Sequence, residues 1–243
     1  MKLMIHGAAG RMGVALTQLV QNSPDITVVG AVDALCPGQD MVASLDQCTE
    51  KADCVVDFSH HTATADLLAY CTQNNTPVVI CTTGHDRQEL DMIADAAKQI
   101  PVFHSGNMSV GIALLMRLAK QTAQMFPDAD IEIVETHHNQ KLDVPSGTAL
   151  MLAKSVQEAR PDSQLLVGRH ENGKRQKKDI GIHSLRMGGI VGIHQVLVST
   201  GNQTITLKHE AHSRALFAEG AITAALWLTN QPAGLYDMKD LVK

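Results

Sequence analysis

Residues 2–13 read Lys2-Leu3-Met4-Ile5-His6-Gly7-Ala8-Ala9-Gly10-Arg11-Met12-Gly13. A short apolar strand runs into three glycines, each separated by two residues. A helical pattern follows, with Met12, Ala15, Leu16, Leu19 and Val20 on one face. Strand, glycine turn and helix in that order make a dinucleotide-type phosphate loop. Glycine serves there because the backbone must turn tightly and admit a pyrophosphate, and the helix amino terminus offers N–H groups to its charge. The spacing is G-x-x-G-x-x-G, not G-x-G-x-x-G, so the context carries the reading. Asp33 adds to it. It ends the next strand, 20 residues after Gly13, where an acid accepts hydrogen bonds from an adenosine ribose. A carboxylate there repels a 2′-phosphate, Ala34 follows in place of an arginine, and Arg11 is the one nearby cation. The expected cofactor is NADH by preference, with NADPH tolerated.

Working outward, strands and helices alternate through the first hundred residues. Ile26–Asp33, Cys54–Phe58, Pro77–Thr82 and Val102–Ser105 read as strands. Between them, Thr64, Leu67, Leu68 and Cys71 recur at helical spacing, as do Leu90, Ile93, Ala94 and Ala97. Asp86 and Glu89 have the spacing of a capping box. Such alternation implies a doubly wound parallel sheet of Rossmann type. The pattern then changes. A helix with Leu115, Leu118, Ala119, Thr122 and Met125 on one face precedes a half-exposed strand, Asp130–Thr136. Another helix bears Ala149, Leu152, Ala153 and Val156. Strands at 180–187, 190–200 and 203–210 follow, joined by short turns at Met187-Gly188-Gly189 and Thr200-Gly201-Asn202. They indicate a second, α+β domain with a mixed or antiparallel sheet. The last helix, with Phe217, Gly220, Ala221, Ala224, Ala225 and Leu228, is too apolar to stand alone and is assigned to the first domain. The expected division is 1–107 completed by 212–243 for dinucleotide binding, and 108–211 for substrate binding and oligomerisation.

Composition narrows the class. The 243 residues suffice for two small domains with a substantial core. Aromatics are 3%, so the core must rest on aliphatic residues and methionine. A net charge of −5 leaves no footprint for nucleic acid, and the basic run at 174–178 reads as a solvated loop. No apolar run approaches the roughly 20 residues of a membrane span. The amino terminus opens on a strand without the charged and apolar regions of a signal peptide. Cys36, Cys48, Cys54, Cys71 and Cys81 are odd in number, irregular in spacing and without a CxxC pair, which suggests reduced thiols in a cytoplasmic protein.

The chemistry concentrates at residues 135–149, Glu-Thr-His-His-Asn-Gln-Lys-Leu-Asp-Val-Pro-Ser-Gly-Thr-Ala. His137 and His138 end a strand and point to opposite sides, so they chelate one metal poorly, and a zinc reading lacks its third ligand. No metal is expected. Histidine titrates near neutrality and suits general acid work. Lys141 offers a cation or a proton. Ser146, Gly147 and Thr148 present N–H groups at a helix start suited to a carboxylate, and Ser146 is also a natural N-cap.

With these residues in view, the chain resembles the 4-hydroxy-tetrahydrodipicolinate reductase (dihydrodipicolinate reductase) family of lysine and diaminopimelate synthesis. Glu135–Ala149 matches its pattern E-x-H-H-x-x-K-x-D-x-P-S-G-T-A at every fixed position, and Gly7–Gly13 matches G-x-x-G-R-M-G. Asp57-Phe58-Ser59, Thr82-Thr83-Gly84, Asn107–Gly111, Gly188–His194 and Gly234–Met238 match further segments. The resemblance implies NAD(P)H-dependent reduction of a small dicarboxylate in a cytoplasmic homotetramer built through the second domain's sheet. It implies His137 as the acid–base residue and Lys141 as a proton donor, with His138, Gly147 and Thr148 holding substrate. It places the dinucleotide on Gly7, Ala8, Ala9, Gly10, Arg11 and Met12, on Asp33, on Cys81, Thr82 and Thr83, and on Ser105, Gly106, Asn107 and Met108. Cys81, His85 and Met108 depart from the residues common in relatives, the first for glycine and the others for phenylalanine. Two rival readings stay open. Cys81-Thr82-Thr83 superficially resembles the nucleophile segment of cysteine-dependent aldehyde dehydrogenases, and a non-catalytic NADH binder would keep the glycine loop without needing His137 or Lys141.

Overall fold

A computed structural model describes residues 1–21, 23–37 and 40–243. In chain order the elements are β1 (Lys2–His6), α1 (Arg11–Gln21), β2 (Thr27–Val32), β3 (Cys54–Asp57), α2 (Thr64–Gln73), β4 (Val78–Ile80), α3 (Arg87–Ala96) and β5 (Pro101–His104). There follow α4 (Val110–Met125), β6 (Asp130–His137), α5 (Gly147–Ala159), β7 (Gln164–Val167), β8 (Asp179–Arg186), β9 (Gly192–Ser199) and β10 (Thr204–Ala211). The chain closes with α6 (Ala215–Leu228), β11 (Gly234–Tyr236) and α7 (Met238–Leu241). Two compact units result. One comprises Met1–Ser109, Ala215–Leu241 and Lys243, and the other Val110–Arg214 with Val242. No helix among the described residues is long and apolar enough to cross a membrane.

The first unit is a six-stranded sheet in the order β11-β5-β4-β3-β1-β2, parallel throughout. Its central strands are apolar on both faces: Leu3, Met4, Ile5, Val55, Val56, Val78, Val79 and Ile80 have no exposed surface, as a sheet covered by helices on both sides requires. Because β1 pairs with β2 on one side and β3 on the other, the chain reverses its winding at β1, and ligands of such sheets bind at the carboxyl ends of the strands there. Asp86 caps α3 by accepting the Glu89 N–H at 2.8 Å, while Glu89 answers the Asp86 N–H at 2.8 Å. α6 packs against α1 and over β3, β4 and β5. It does so closely because its buried face is Ala218, Gly220, Ala221, Ala224 and Ala225. A Cβ at Gly220 would strike the Met108 carbonyl.

The second unit is a five-stranded mixed sheet, β10-β9-β6-β8-β7, with α4 and α5 on one face. β6, β8 and β7 run parallel, while β9 is antiparallel to both β6 and β10. Ile112, Leu115, Ile131, Ile133, Leu152, Val156, Ile180 and Val196 form the core between sheet and helices. Truncating a site such as Leu152, fully buried here, costs about 2–5 kcal/mol in general.

The Met187-Gly188-Gly189 turn joins β8 to β9 without pairing them, because β6 lies between the two; the turn passes over the end of β6, where Met187 N–H donates to the His137 carbonyl (2.9 Å) and Asn139 N–H to the Gly188 carbonyl (3.1 Å). One sequence expectation needs correcting. The buried stripe of α4 is Ile112, Leu115, Ala119 and Ala123, and Leu118 and Met125 face outward. β7 and β11 are short strands without a clear alternating pattern, and no sequence signal marks them.

Candidate functional site

In the first unit the phosphate loop leaves β1 with Gly7 at φ +79°. A Cβ there would lie 2.7 Å from Phe58 C and Ser59 N, and one on Gly13 would collide with the Gly7 carbonyl. Glycine is therefore required at both places. Much of the loop's own hydrogen bonding is internal. Gly7 and Ala8 N–H donate to the Val32 carbonyl at 2.8 and 3.0 Å, and Gly10 N–H to the Gly7 carbonyl at 3.2 Å. Ala9 N–H donates to Asp33 Oδ2 at 3.1 Å. The donors left for an anion are those of the first turn of α1, Arg11, Met12 and Gly13, which have no intrahelical acceptor.

Asp33 does more than end a strand. Its Oδ1 accepts the Leu35 and Cys36 N–H groups at 3.1 and 3.2 Å. Three donors leave a carboxylate, with about four acceptor positions, room for a ribose hydroxyl. A cavity of about 470 Å³ lies beside it, between Gly7, Gly10, Asp33, Leu35, Phe58 and His60. No Lys or Arg lines this cavity among the described residues. A glycine loop, an open helix turn, an acid and a largely apolar cavity fit a dinucleotide.

The other expected cofactor residues divide by exposure. Thr83 and Gly106 are exposed and Asn107 is half-buried. Cys81, Thr82, Ser105 and Met108 are buried. Thr82 Oγ1 donates to Asp57 Oδ2 at 2.6 Å, and Ser105 Oγ donates to the Asn107 carbonyl at 2.9 Å. Asp57 is a residue to which the sequence assigned no role. Its Oδ1 also accepts the Ser59 hydroxyl at 2.5 Å and lies 2.9 Å from His6 Nδ1. It thereby ties the carboxyl ends of β1, β3 and β4 together. Burial raises its pKa, but bonds from His6, Ser59 and Thr82 outweigh this and hold it below the usual carboxylate range. The Cys81 thiol goes the other way. Burial, then the charges of Asp57 and Cys54, push it well above an ordinary thiol. A nucleophilic cysteine must be a thiolate, so the aldehyde dehydrogenase reading finds no support at Cys81.

In the second unit β6 delivers Glu135 and His137 to the helix-covered face, two residues apart on one side of the strand. Glu135 has no exposed surface. Its Oε2 accepts His137 Nδ1 at 2.5 Å and Arg186 Nη1 at 2.8 Å. Its Oε1 accepts Arg186 Nη2 at 2.9 Å and Ser146 N–H at 3.1 Å. Burial acts to raise the Glu135 pKa, but Arg186, the Ser184 hydroxyl, His137 and the Ser146 N–H bring it down to about 2. His137 is shifted below the ordinary histidine value by burial and by the Lys141 and Arg186 charges, partly offset by Glu135. Ser146 caps α5, its Oγ accepting Ala149 N–H at 3.2 Å, and it faces His194 Nε2 at 3.3 Å. Gly147 and Thr148 are the first two residues of that helix. His138 is half-buried, and its carbonyl accepts Lys141 N–H at 3.2 Å. Lys141 Nζ pairs with Asp143 at 2.8 Å. His137, Lys141 and the start of α5 thus belong to one corner of the unit. Arg186, His194 and Glu135 complete it, and the sequence assigned them no role. Among the described residues no three His, Cys, Asp or Glu side chains converge as a metal-ligand set.

Comparison with known proteins bears on both units. The family model for the dihydrodipicolinate reductase amino-terminal region matches residues 1–108, and the model for its carboxyl-terminal region matches 111–242. The protein named 4-hydroxy-tetrahydrodipicolinate reductase in Caldanaerobacter subterraneus subsp. tengcongensis is 43% identical, covering 100% of this chain and 98% of its own. The protein of that name in Clostridium novyi is 40% identical with the same coverage. A dipicolinate-bound dihydrodipicolinate reductase from Paenisporosarcina sp. TG-14 superposes with a TM-score of 0.84 at 27% identity, covering 99% of this chain and 98% of that one. The chain belongs to the dihydrodipicolinate reductase family.

Proposed function

We propose that this chain reduces 4-hydroxy-tetrahydrodipicolinate to tetrahydrodipicolinate, in lysine and diaminopimelate synthesis, with the first unit holding NAD(P)H and the second supplying the proton from His137 with Lys141. The reaction replaces a hydroxyl by hydrogen, so it consumes one hydride and one proton and releases water. The nicotinamide supplies the hydride when bound. The chain's own residues do the rest. The first turn of α1 takes the pyrophosphate, and Asp33 the ribose. In the second unit the amino end of α5, at Gly147 and Thr148, receives a substrate carboxylate, and His138 is a further substrate contact. Lys141 adds a cation for a dicarboxylate. His137 gives up a proton where one is needed. The observation that carries this reading is the corner of the second unit, where a buried histidine and a helix start are joined through Glu135 and the Lys141 charge acts on that histidine.

Asp33 and a cavity without Lys or Arg favour NADH over NADPH. The sheet face away from α4 and α5 carries Val134, Leu185, Ile193 and Leu197, with Leu185 49% exposed. That apolar face supports a homotetramer assembled through the second unit, in the cytoplasm. The test is nucleotide oxidation with freshly prepared 4-hydroxy-tetrahydrodipicolinate and each cofactor in turn. Oxidation that depends on substrate and runs faster with NADH is expected. No oxidation with either cofactor would overturn the reading.

A further inference from the structure

We propose that Glu135, clamped by Arg186, is a positioning residue that holds His137 through Nδ1–H and so makes Nε2, the nitrogen over Gly192, the one that exchanges the proton. This rests on the reading of His137 as proton donor given above.

The geometry leaves Glu135 no other part. Donors crowd its two oxygens: His137 Nδ1, two from the Arg186 guanidinium and the Ser146 N–H, with the Ser184 hydroxyl beside them. A carboxylate has about four acceptor positions, so this one is saturated. Sealed from solvent and held by a bidentate arginine, it stays ionised and can only accept. A partner that only accepts obliges His137 Nδ1 to carry a hydrogen in both charge states of the ring. The variable proton then sits on Nε2. Among the described residues no protein group hydrogen-bonds Nε2. The backbone beneath it is Gly192, where a Cβ would lie 3.1 Å from Nε2. The missing side chain keeps approach to that nitrogen open.

The remaining charged and titratable neighbours fit the same role. Lys141, in the loop after β6, and Arg186, on β8, both disfavour imidazolium at His137, and Glu135 opposes them. His194, on β9, stands edge-on to His137 with ring centres 5.1 Å apart. Burial, then the His137 charge, lower its pKa to about 4. It stays neutral near pH 7 and does not compete as the acid. Register explains why these groups meet: His137 pairs with Arg186 across β6 and β8, and Glu135 with His194 across β6 and β9.

The first arm of the test needs no variant. The intact enzyme, labelled with ¹⁵N-histidine, is titrated by NMR, and His137 is assigned from the signal lost in His137→Gln. Hydrogen fixed on Nδ1 with Nε2 titrating is expected; the opposite tautomer overturns the proposal even if every Glu135 variant fails to fold. The second arm is kinetic. Glu135→Gln offers Nδ1 a competing amide donor, which favours the wrong tautomer. A fall in kcat of roughly 10²–10⁴-fold is expected, with KM little changed and the limb of the pH profile moved to lower pH. A folded Glu135→Gln enzyme with wild-type kcat and profile overturns the proposal. Gly192→Ala should lower kcat severalfold while the ¹⁵N signals still report hydrogen on Nδ1; unchanged kcat would mean that Nε2 is not the exchanging atom. If His137→Gln itself is fully active, the proton-donor reading fails independently of Glu135.

Discussion

The glycine loop before α1 and the Pro-Ser-Gly-Thr turn before α5 both lead a strand into a helix amino terminus. They prepare it differently. Around α1 nearly everything is backbone: Gly7 at positive φ, Gly13 with no room for a side chain, and amides bonded to Val32 and Asp33. Around α5 the work falls to side chains, with Ser146 as cap, Glu135 bonded to the cap's N–H, and His137 and Arg186 on the same carboxylate. A backbone cradle can grip a chemically constant group such as a pyrophosphate, but it cannot offer a proton. A side-chain corner can offer one, and it needs buried charge to keep the donor aligned.

If that division holds, His137→Gln should be the most damaging of the simple changes. Turnover should fall by roughly 10²–10⁴-fold, while NADH affinity, measured by fluorescence titration, stays nearly unchanged because the loop is in the other unit. Unchanged turnover would break the contrast. Lys141→Ala comes next. Charge-assisted bonds contribute roughly 1.5–3 kcal/mol each, so kcat/KM should drop tenfold or more in steady-state kinetics at saturating NADH. Lys174→Ala, at an exposed position, should cost little; the reverse order would misplace the anion site.

Asp33→Ala probes the backbone side. Asp33 also accepts the Ala9, Leu35 and Cys36 N–H groups, so on the proposed reading affinity for both cofactors should weaken. The informative quantity is the ratio of their specificity constants, which should move toward NADPH. A constant ratio would remove the ribose assignment.

A smaller effect appears in acid. His194 has its pKa lowered to about 4 by burial and the His137 charge. Below the ordinary value near 6.5 the unfolded chain takes up a proton that the folded one refuses, so stability falls as pH drops from about 6.5 toward 4. Glu135, lowered to about 2, adds a loss that begins near the ordinary glutamate value and continues downward. Melting curves across this range should show Tm declining, and His194→Gln should flatten the upper part of the decline. Smallest of all, EDTA dialysis should leave activity unaltered; loss restored by added metal would reopen a metal role for the histidines.

The same contrast decides what could be read from the chain. The loop was legible because its demands fall on consecutive residues: strand, Gly7, Gly10, Gly13, helix. Asp33 was legible because its distance from the loop is set by one helix and one strand. In the second unit His137, Lys141 and the Ser146 turn stand within one run and drew notice together. Arg186 did not, since it lies 51 residues from Glu135 and reaches it only through strand register. His194 and Gly192 were hidden for a further reason. The short turn before β9 says nothing of the strand that comes between β8 and β9, so that β9 lies beside β6 is not visible in it. Glu135 was visible as a letter of the motif, but nothing local shows that a glutamate on a strand is to be sealed in with an arginine. Turn chemistry gives the path of the chain; register, which decides which side chains become neighbours, depends on the whole sheet.

The five cysteines all lie in the first unit, and only Cys36 is freely exposed. Cys54, Cys71 and Cys81 are interior groups whose thiols burial holds far above their usual pKa. An alkylating reagent can modify them only after the parallel sheet opens and they ionise. Their labelling rate is thus a built-in clock for breathing of the nucleotide-binding half, read by mass spectrometry without any engineered probe, and bound NADH should slow it.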